Sequence, residues 1–359
     1  MSSTTELNAI YDARQQSYNY LASNRIRQNN LDAFEKFLRT EGNLERSSLI
    51  IRCQVNKNEY ATRVIVNKEI SQWRYKECFL PFLKRMLHRV HKYGEFFVLL
   101  SDRLYISQQK RKECSEFLKK VPLLRCDKSP KDELSQYSIL IPDFFIQHAL
   151  YTDELAAIDR EVKKIPFHAR VNLIKWRGSL TGPDHPTIKT YSQFPRYKLL
   201  ELSLAHPNIL DARLIGYENF EGNEFADELK IELEKKFGKL EPKLSAEAFV
   251  NYKYLVSVDG VAAAWKRVPT ILASGSALLL QHEWEQFFYP ALKPFLHYVP
   301  LKHDLSNLCE QYCWLEGNIQ KATKIGCNGR RFAKAFLNPV FLEDYFVEII
   351  NKCCELYDS

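Results

Sequence analysis

Short apolar runs alternate along this chain with longer amphipathic or polar stretches. A β-branched run at residues 61–66 is followed by an amphipathic stretch at 72–93 and a fully apolar run at 95–100. Strand, helix and buried strand in this order predict a βαβ unit. Further strands are predicted at VNLIKW, ILDARLI, YKYLVSV and ALLLQ. We therefore expect an α/β protein with doubly wound sheets.

The length of the chain predicts more than one domain. At 359 residues it exceeds the roughly 100–200 residues of one typical domain. Two lobes with a cleft between them are the expected arrangement. The predicted segments are N-terminal capping helices at 1–45, a Rossmann-like lobe at 46–165, a second Rossmann-like lobe at 166–310 and C-terminal helices at 311–359.

Composition limits the possible partners only loosely. With 45% hydrophobic and 26% charged residues, the chain has the composition of a folded protein. The net charge of +7 is scattered, so a phosphate-bearing ligand, an anionic membrane surface and nucleic acid are all compatible with it. No zinc finger, recognition helix or ribonucleoprotein motif is visible, and we do not expect nucleic-acid binding.

Cysteines and termini argue against a disulfide framework and a membrane span. The nine cysteines include no Cys-x-x-Cys pair, and we expect them to be reduced. The N-terminus lacks a basic region followed by an apolar stretch, and no segment reaches the roughly 20 apolar residues of a spanning helix. We expect a cytoplasmic protein, compatible with peripheral contact at the inner face of a membrane.

A first candidate site is the segment KWRGSLTG at residues 175–182, where a predicted buried strand opens into a loop. Ligands bind at the carboxyl ends of strands in doubly wound sheets. Gly178 permits close backbone approach, and Ser179 and Thr181 offer hydroxyl donors. The guanidinium of Arg177 suits paired phosphate oxygens. The alternative interpretation is a purely structural turn.

A second candidate site is YKYLVSVDGVAAAWKR at residues 252–267. The strand is predicted to end at Asp259, Gly260 turns the chain, and Val261 to Ala264 are predicted to begin a helix whose free N–H groups face a diphosphate. Lys266 or Arg267 is then expected about one turn inside that helix. A tight packing turn with solvated basic residues is the alternative.

These segments resemble glycosyltransferase family 90. DGVAAAWKR, LASGSALLL and HEWEQFFYPALKPFLHYVPLKHDLSNL are similar to the C-terminal lobe of that family, and WRGSLTG matches its Arg-Gly-Ser signature. The resemblance spans roughly residues 165–345. The family includes the protein O-glucosyltransferases and bacterial lipopolysaccharide glycosyltransferases.

The resemblance implies a GT-B fold, a UDP-sugar donor held by the C-terminal lobe, and inverting transfer without a catalytic metal or other cofactor. The sequence has no Asp-x-Asp pair of the metal-dependent kind. The resemblance also implies that the donor is contacted by Arg177, Gly178, Ser179, Thr181, Gly260, Val261, Ala262, Ala263, Lys266, Arg267 and Glu283.

The chain departs from the family pattern near its basic pair. The family has one arginine shortly after Gly-Val-Ala-Ala-Ser, whereas this chain has Lys266 and Arg267 and carries Ala264 in place of the serine. We favour Arg267 as the phosphate ligand because of its forked donors.

An inverting transfer needs a base that takes the proton of the acceptor hydroxyl. FFVLLSDRLYI at residues 96–106 is similar to the family segment that carries this base, and Asp102 occupies its position. Asp143 and Trp284 are weaker candidates for ligand contact. The cluster Phe287, Phe288 and Tyr289 is expected in the core.

Two functions from different classes remain. The first is a transferase that moves glucose or a related hexose or pentose from a UDP-sugar to an acceptor hydroxyl. A lipopolysaccharide or other surface glycan is the expected acceptor, and a protein hydroxyl is the alternative. The second is a sugar-nucleotide-binding protein without transfer activity, which Ala264 and the Lys-Arg pair would support.

Overall fold

A computed structural model describes residues 3–40, 42–44, 48–66, 72–182, 190–217 and 226–358 of the chain. The chain divides into two units. The first comprises residues 1–151, 284–291 and 338–359, and the second comprises residues 152–283 and 292–337. Both units, unlike the predicted domain ranges, are discontinuous in sequence.

The strands are β1 Ile26–Arg27, β2 Ile50–Asn56, β3 Glu59–Val66, β4 Gly94–Leu99, β5 Leu123–Arg125, β6 Ile139–Leu140, β7 Val171–Gly178, β8 Leu210–Leu214, β9 Tyr252–Val258, β10 Ala277–Gln281, β11 Val299–Pro300 and β12 Tyr357–Asp358.

The α-helices are α1 Ser3–Asp12, α2 Gln15–Asn24, α3 Gln28–Arg39, α4 Leu80–Met86, α5 Arg111–Leu118, α6 Phe144–Gln147, α7 Leu150–Lys164, α8 Pro195–Ala205, α9 Ala226–Phe237, α10 Arg267–Ser274, α11 Leu308–Gly317, α12 Ile319–Phe336 and α13 Pro339–Leu356. A π-helical turn, Arg74–Phe79, precedes α4.

The first unit contains a mixed sheet in the order β3-β2-β4-β5-β6. β2 pairs antiparallel with both β3 and β4, while β4, β5 and β6 are mutually parallel. The predicted strands β3 and β4 are therefore parallel to each other, but β2, which the sequence interpretation did not assign, lies between them. A tight turn with Asn58 at φ 62° joins β2 to β3, and asparagine tolerates this left-handed conformation.

The second unit contains a wholly parallel sheet in the order β11-β10-β9-β7-β8. Its central strands are buried almost throughout, as expected for a sheet covered on both faces. The stretch 224–237 was predicted as a helix or a long loop. Residues 226–237 form helix α9, and residues 224 and 225 lie outside the described residues. The predicted α/β class is confirmed.

Gly326 allows α12 to pack closely on the turn between α10 and β10. A Cβ atom at Gly326 would lie 2.2 Å from the carbonyl oxygen of Gly275, which caps α10 at φ 70°. Both backbones are held by their own elements, so neither can move away without loss of packing.

Replacing Gly326 with alanine is expected to lower the free energy of unfolding by about 1–3 kcal/mol because of this clash. Urea denaturation of wild type and Gly326→Ala measures the change. Gly317→Ala is the matched control, since a Cβ there meets nothing within 4 Å. Equal stability of wild type and Gly326→Ala would contradict the packing described.

Candidate functional site

Asp102 lies in the first unit, just beyond the carboxyl end of β4. Its Oδ1 accepts a hydrogen bond from Nη1 of Arg74 at 2.8 Å. The same nitrogen donates to the carbonyl of Leu100 at 2.9 Å, and the guanidinium lies 4.2 Å from the ring centroid of Phe144. Arg74 therefore holds the Asp102 carboxylate in place. The carboxylate remains accessible to solvent, because the Asp102 side chain is 29% exposed.

In the second unit, the ends of β7 and β9 mark the point where the strand order reverses. These strands are neighbours, although β8 lies between them in sequence, on the far side of β7. Ligands of open α/β sheets bind at the carboxyl ends of strands at such a point. The loop after Gly178 and the turn at Gly260 both leave the sheet there.

Two glycines permit the close approach of these loops. A Cβ at Gly260 would lie 2.1 Å from Oγ1 of Thr181 and 2.9 Å from Cζ of Arg196. A Cβ at Gly178 would lie 2.8 Å from Nη2 of Arg267. The structure therefore brings together Gly178, Thr181, Gly260 and Arg267 of the predicted site.

Arg196 lies in this cluster, and sequence reasoning missed it. Its Nη1 donates to Oγ1 of Thr181 at 2.6 Å and to the carbonyl of Ser179 at 3.0 Å, and its Nε donates to the carbonyl of Val258 at 3.2 Å. The sequence feature that could have indicated Arg196 is its position directly after Pro195, in the first turn of α8. The helix dipole disfavours a cation there.

Arg267 is the first residue of α10, and its guanidinium stacks on Trp176 at 5.2 Å from the ring centroid. Its Nη2 donates to the carbonyl of Arg177 at 2.9 Å, whereas Nη1 is buried without a hydrogen-bond partner among the described residues. Burial, together with the charge of Arg196, lowers the pKa of Arg267 to about 9. The side chain is still a cation at pH 7.

Three other predicted donor ligands have protein partners for their charges. Arg177 forms a forked ion pair with Asp211, with nitrogen–oxygen distances of 3.0 and 3.2 Å. Lys266 donates to Glu154 at 2.5 Å. Oε1 of Glu283 lies 2.9 Å from Nδ1 of His303, and this pair is ionic when the imidazole is protonated.

The predicted helix start after Gly260 was wrong. Residues 261–266 form an irregular turn in which Trp265 has φ 43°, and α10 begins only at Arg267. Pro269 accounts for the late start, because proline is tolerated in the first turn of a helix and would disrupt the interior of one that began at Val261. Ala262 and Ala263 are buried, and the N–H of Gly260 is bonded to the carbonyl of Ala262 at 3.1 Å.

Comparison with known proteins identifies the family. The model of glycosyl transferase family 90 matches residues 22–359. The chain belongs to glycosyl transferase family 90. The predicted family is thus confirmed over nearly the whole chain.

Similar proteins include two protein O-glucosyltransferases. Protein O-glucosyltransferase 3 of Homo sapiens is 36% identical over 169 residues, which are 47% of this chain and 31% of that protein. Protein O-glucosyltransferase 1 of Homo sapiens is 28% identical over 193 residues, 54% of this chain and 44% of that protein. The family 90 chain thus matches less than half the length of either relative.

Among solved structures, a glycosyltransferase from Rickettsia africae ESF-5 is similar with a TM-score of 0.43 and 12% identity, covering 69% of this chain and 68% of that one.

The weaker candidates of this family 90 chain have structural contacts. Asp143 is fully buried, caps α6 through the N–H groups of Phe145 and Ile146, and accepts from Gln286 at 2.9 Å. Trp284 is buried beneath the guanidinium of Arg103, 4.6 Å from its ring centroid. The expected core cluster is buried and comprises Phe287, Phe288 and Tyr289.

Within the described part of the chain, no three metal-ligating side chains cluster, and no helix is long and apolar enough to cross a membrane.

Asp211 is expected to contribute stability in a pH-dependent way. Burial alone would raise its pKa, but hydrogen bonds from Arg177 and Lys175 outweigh burial and lower it below the ordinary 3.8. A carboxylate whose pKa is lower in the folded state stabilises the fold above the unfolded pKa, and this contribution is lost as the pH falls through the folded pKa. Asp211→Asn should therefore destabilise the protein at pH 6, by a margin that shrinks below pH 3.8.

Urea unfolding of both proteins at several pH values between about 6 and 3 measures this margin. Asp227→Asn serves as control, because Asp227 is 94% exposed. A margin that stays constant across the range would contradict the assigned ion pair.

Proposed function

We propose that this family 90 chain transfers glucose or a related hexose or pentose from a UDP-sugar to an acceptor hydroxyl, with inversion and without a catalytic metal. The observation that carries the proposal is the enclosed guanidinium of Arg267. It is a cation at pH 7, it has an unpartnered buried nitrogen, and no carboxylate among the described residues pairs with it.

A buried charge without a counter-ion is costly, and an anionic ligand offsets that cost. Arg196 lies beside Gly260 and Arg267 beside Gly178, near enough for the charge of Arg196 to act on Arg267, and each arginine lies in the first turn of a helix. The dipoles of α8 and α10 act against these cations and in favour of an anion bound beside them. A diphosphate, with charge on both phosphoryl groups, matches two guanidinium groups.

Family membership supports a sugar diphosphate over other anions. The names of the two human relatives favour glucose as the sugar and a protein hydroxyl as the acceptor. A surface glycan is the acceptor expected from the sequence. An activity assay must therefore include glycan acceptors as well as protein acceptors.

Asp102 is the proposed base. Its carboxylate takes the proton of the acceptor hydroxyl while the oxygen attacks the anomeric carbon opposite the diphosphate. The bond from that carbon to the diphosphate oxygen breaks, and Arg267 and Arg196 stabilise the charge of the leaving UDP. Because the base and the leaving group act on opposite sides of the carbon, the configuration inverts.

Arg267→Met is expected to weaken UDP binding by about 10- to 100-fold, the equivalent of one lost hydrogen bond to a charged group, while uridine binding changes little. Titration calorimetry with UDP and uridine measures both affinities. Arg331→Met is the control, since Arg331 is exposed on α12 and donates a hydrogen bond to Asn328 on the same helix. Wild-type protein that does not bind UDP would overturn the proposal.

Asp102→Asn is expected to lower turnover by about 100-fold or more and to leave UDP affinity nearly unchanged, because a general base acts on the acceptor. Release of UDP from UDP-glucose with protein and glycan acceptors measures turnover. Asp227→Asn is the control, and chelation of divalent ions should leave the wild-type rate unchanged. Full activity of Asp102→Asn would exclude this residue as the base.

A second function, a sugar-nucleotide-binding protein without transfer activity, is favoured by Ala264 at the position of the family serine and by the pairing of Lys266 with Glu154. UDP that binds to the wild type but is never released from any UDP-sugar would support this second function.

A further inference from the structure

Both terminal nitrogens of the Arg177 guanidinium donate hydrogen bonds within its own sheet. Nη1 donates to Oδ1 and to the carbonyl oxygen of Asp211 at 3.0 and 3.1 Å, and Nη2 donates to Oδ2 at 3.2 Å. Nη1 also donates to the carbonyl of Trp176 at 2.9 Å. The side chain is only 8% exposed, so little of it is available to a ligand.

Asp211 is in turn fixed from a second side. Lys175, two residues before Arg177 on β7, donates to Oδ2 of the same carboxylate. In the parallel pairing of β7 with β8, Lys175 lies opposite Asp211 and Arg177 lies opposite Arg213. The carboxylate therefore holds Arg177 against the surface of the sheet.

The backbone of Arg177 points to a different role from its side chain. Its carbonyl accepts the hydrogen bond from Nη2 of Arg267 at 2.9 Å. This carbonyl and the ring of Trp176 are the contacts that orient the Arg267 guanidinium. The direction of the unpartnered Nη1 of Arg267 thus depends on where the end of β7 lies.

We propose that Arg177 and Asp211 form a positioning pair, which fixes the end of β7 so that the Arg177 carbonyl aims Arg267 at the diphosphate, and that the Arg177 side chain does not itself bind the donor. The proposal rests on the proposed function, since it assigns Arg267 to the leaving UDP. It replaces the sequence-based expectation that the Arg177 guanidinium contacts phosphate.

Direct binding and positioning predict different effects of removing Asp211. A phosphate-binding Arg177 would be released by Asp211→Asn, so UDP affinity would rise or stay the same. A positioning pair predicts that Asp211→Asn weakens UDP binding as Arg177→Met does, by about tenfold each, and that the double variant is no weaker than either single variant.

The experiment is a set of double-mutant cycles read by calorimetry as the ratio of UDP to uridine affinity. It uses Arg177→Met, Asp211→Asn, Arg267→Met and their pairs. Because a positioning residue acts through Arg267, Arg177→Met should have almost no further effect in Arg267→Met protein. A general loss of folded protein would lower both affinities together and leave the ratio unchanged.

Arg213→Met is the matched control, since this arginine approaches the same carboxylate at 3.6 Å but is 39% exposed. It should keep the wild-type ratio. Arg177→Lys keeps the charge and loses the fork, so it should behave like Arg177→Met. It also provides the test if the methionine variant does not fold.

Additive effects of Arg177→Met and Arg267→Met, or UDP binding by Asp211→Asn that is unchanged or tighter, would overturn the positioning role and leave the proposed function standing. Wild-type protein that binds no UDP would overturn both.

Discussion

An enclosed cation at the end of a parallel sheet is the feature on which the second unit's proposed chemistry depends. Arg267 lies against Trp176 with one nitrogen on a backbone carbonyl and another without a partner among the described residues. A protein tolerates such a charge only at a cost in stability, and that cost is reduced when an anion binds. The arrangement therefore favours ligand binding over a purely structural role.

The loops around this cation can meet because side chains are absent at two positions. Gly178 and Gly260 stand where any Cβ would overlap the atoms of Arg267 or Thr181. Their role is steric, since neither has the positive φ that favours glycine for conformational reasons. The same closeness lets Arg196 bond to the ends of both loops.

Asp102 in the first unit and Asp211 in the second unit have different charged neighbours. Arg74 holds Asp102 in place, and this carboxylate stays accessible. Arg177 and Lys175 both donate hydrogen bonds to Asp211 and, against the opposing effect of burial, lower its pKa. The predicted base and the structural carboxylate thus both have arginine partners and similar exposed fractions, 29% and 25%, and they differ in the number of cations around each.

Much of the candidate site could be predicted because its signals are local. A buried strand followed by Gly178, and another followed by Gly260, places both loops at the carboxyl ends of strands in any doubly wound sheet. The start of α10 could also have been predicted, because the restriction that Pro269 imposes is local. Arg196 was missed because its role depends on the loops that reach it from residues 179–181 and 258.

The sequence by itself determined the α/β class, the family, the positions of the two loops and the identity of Arg267 as a candidate ligand, because periodicity and motifs act over short stretches of chain. Only the tertiary structure decided which cations have counter-ions. Asp211 reaches Arg177 across two paired strands and Glu154 reaches Lys266 from α7. Such pairing depends on the distances between segments that are far apart in sequence, and local sequence patterns do not determine those distances.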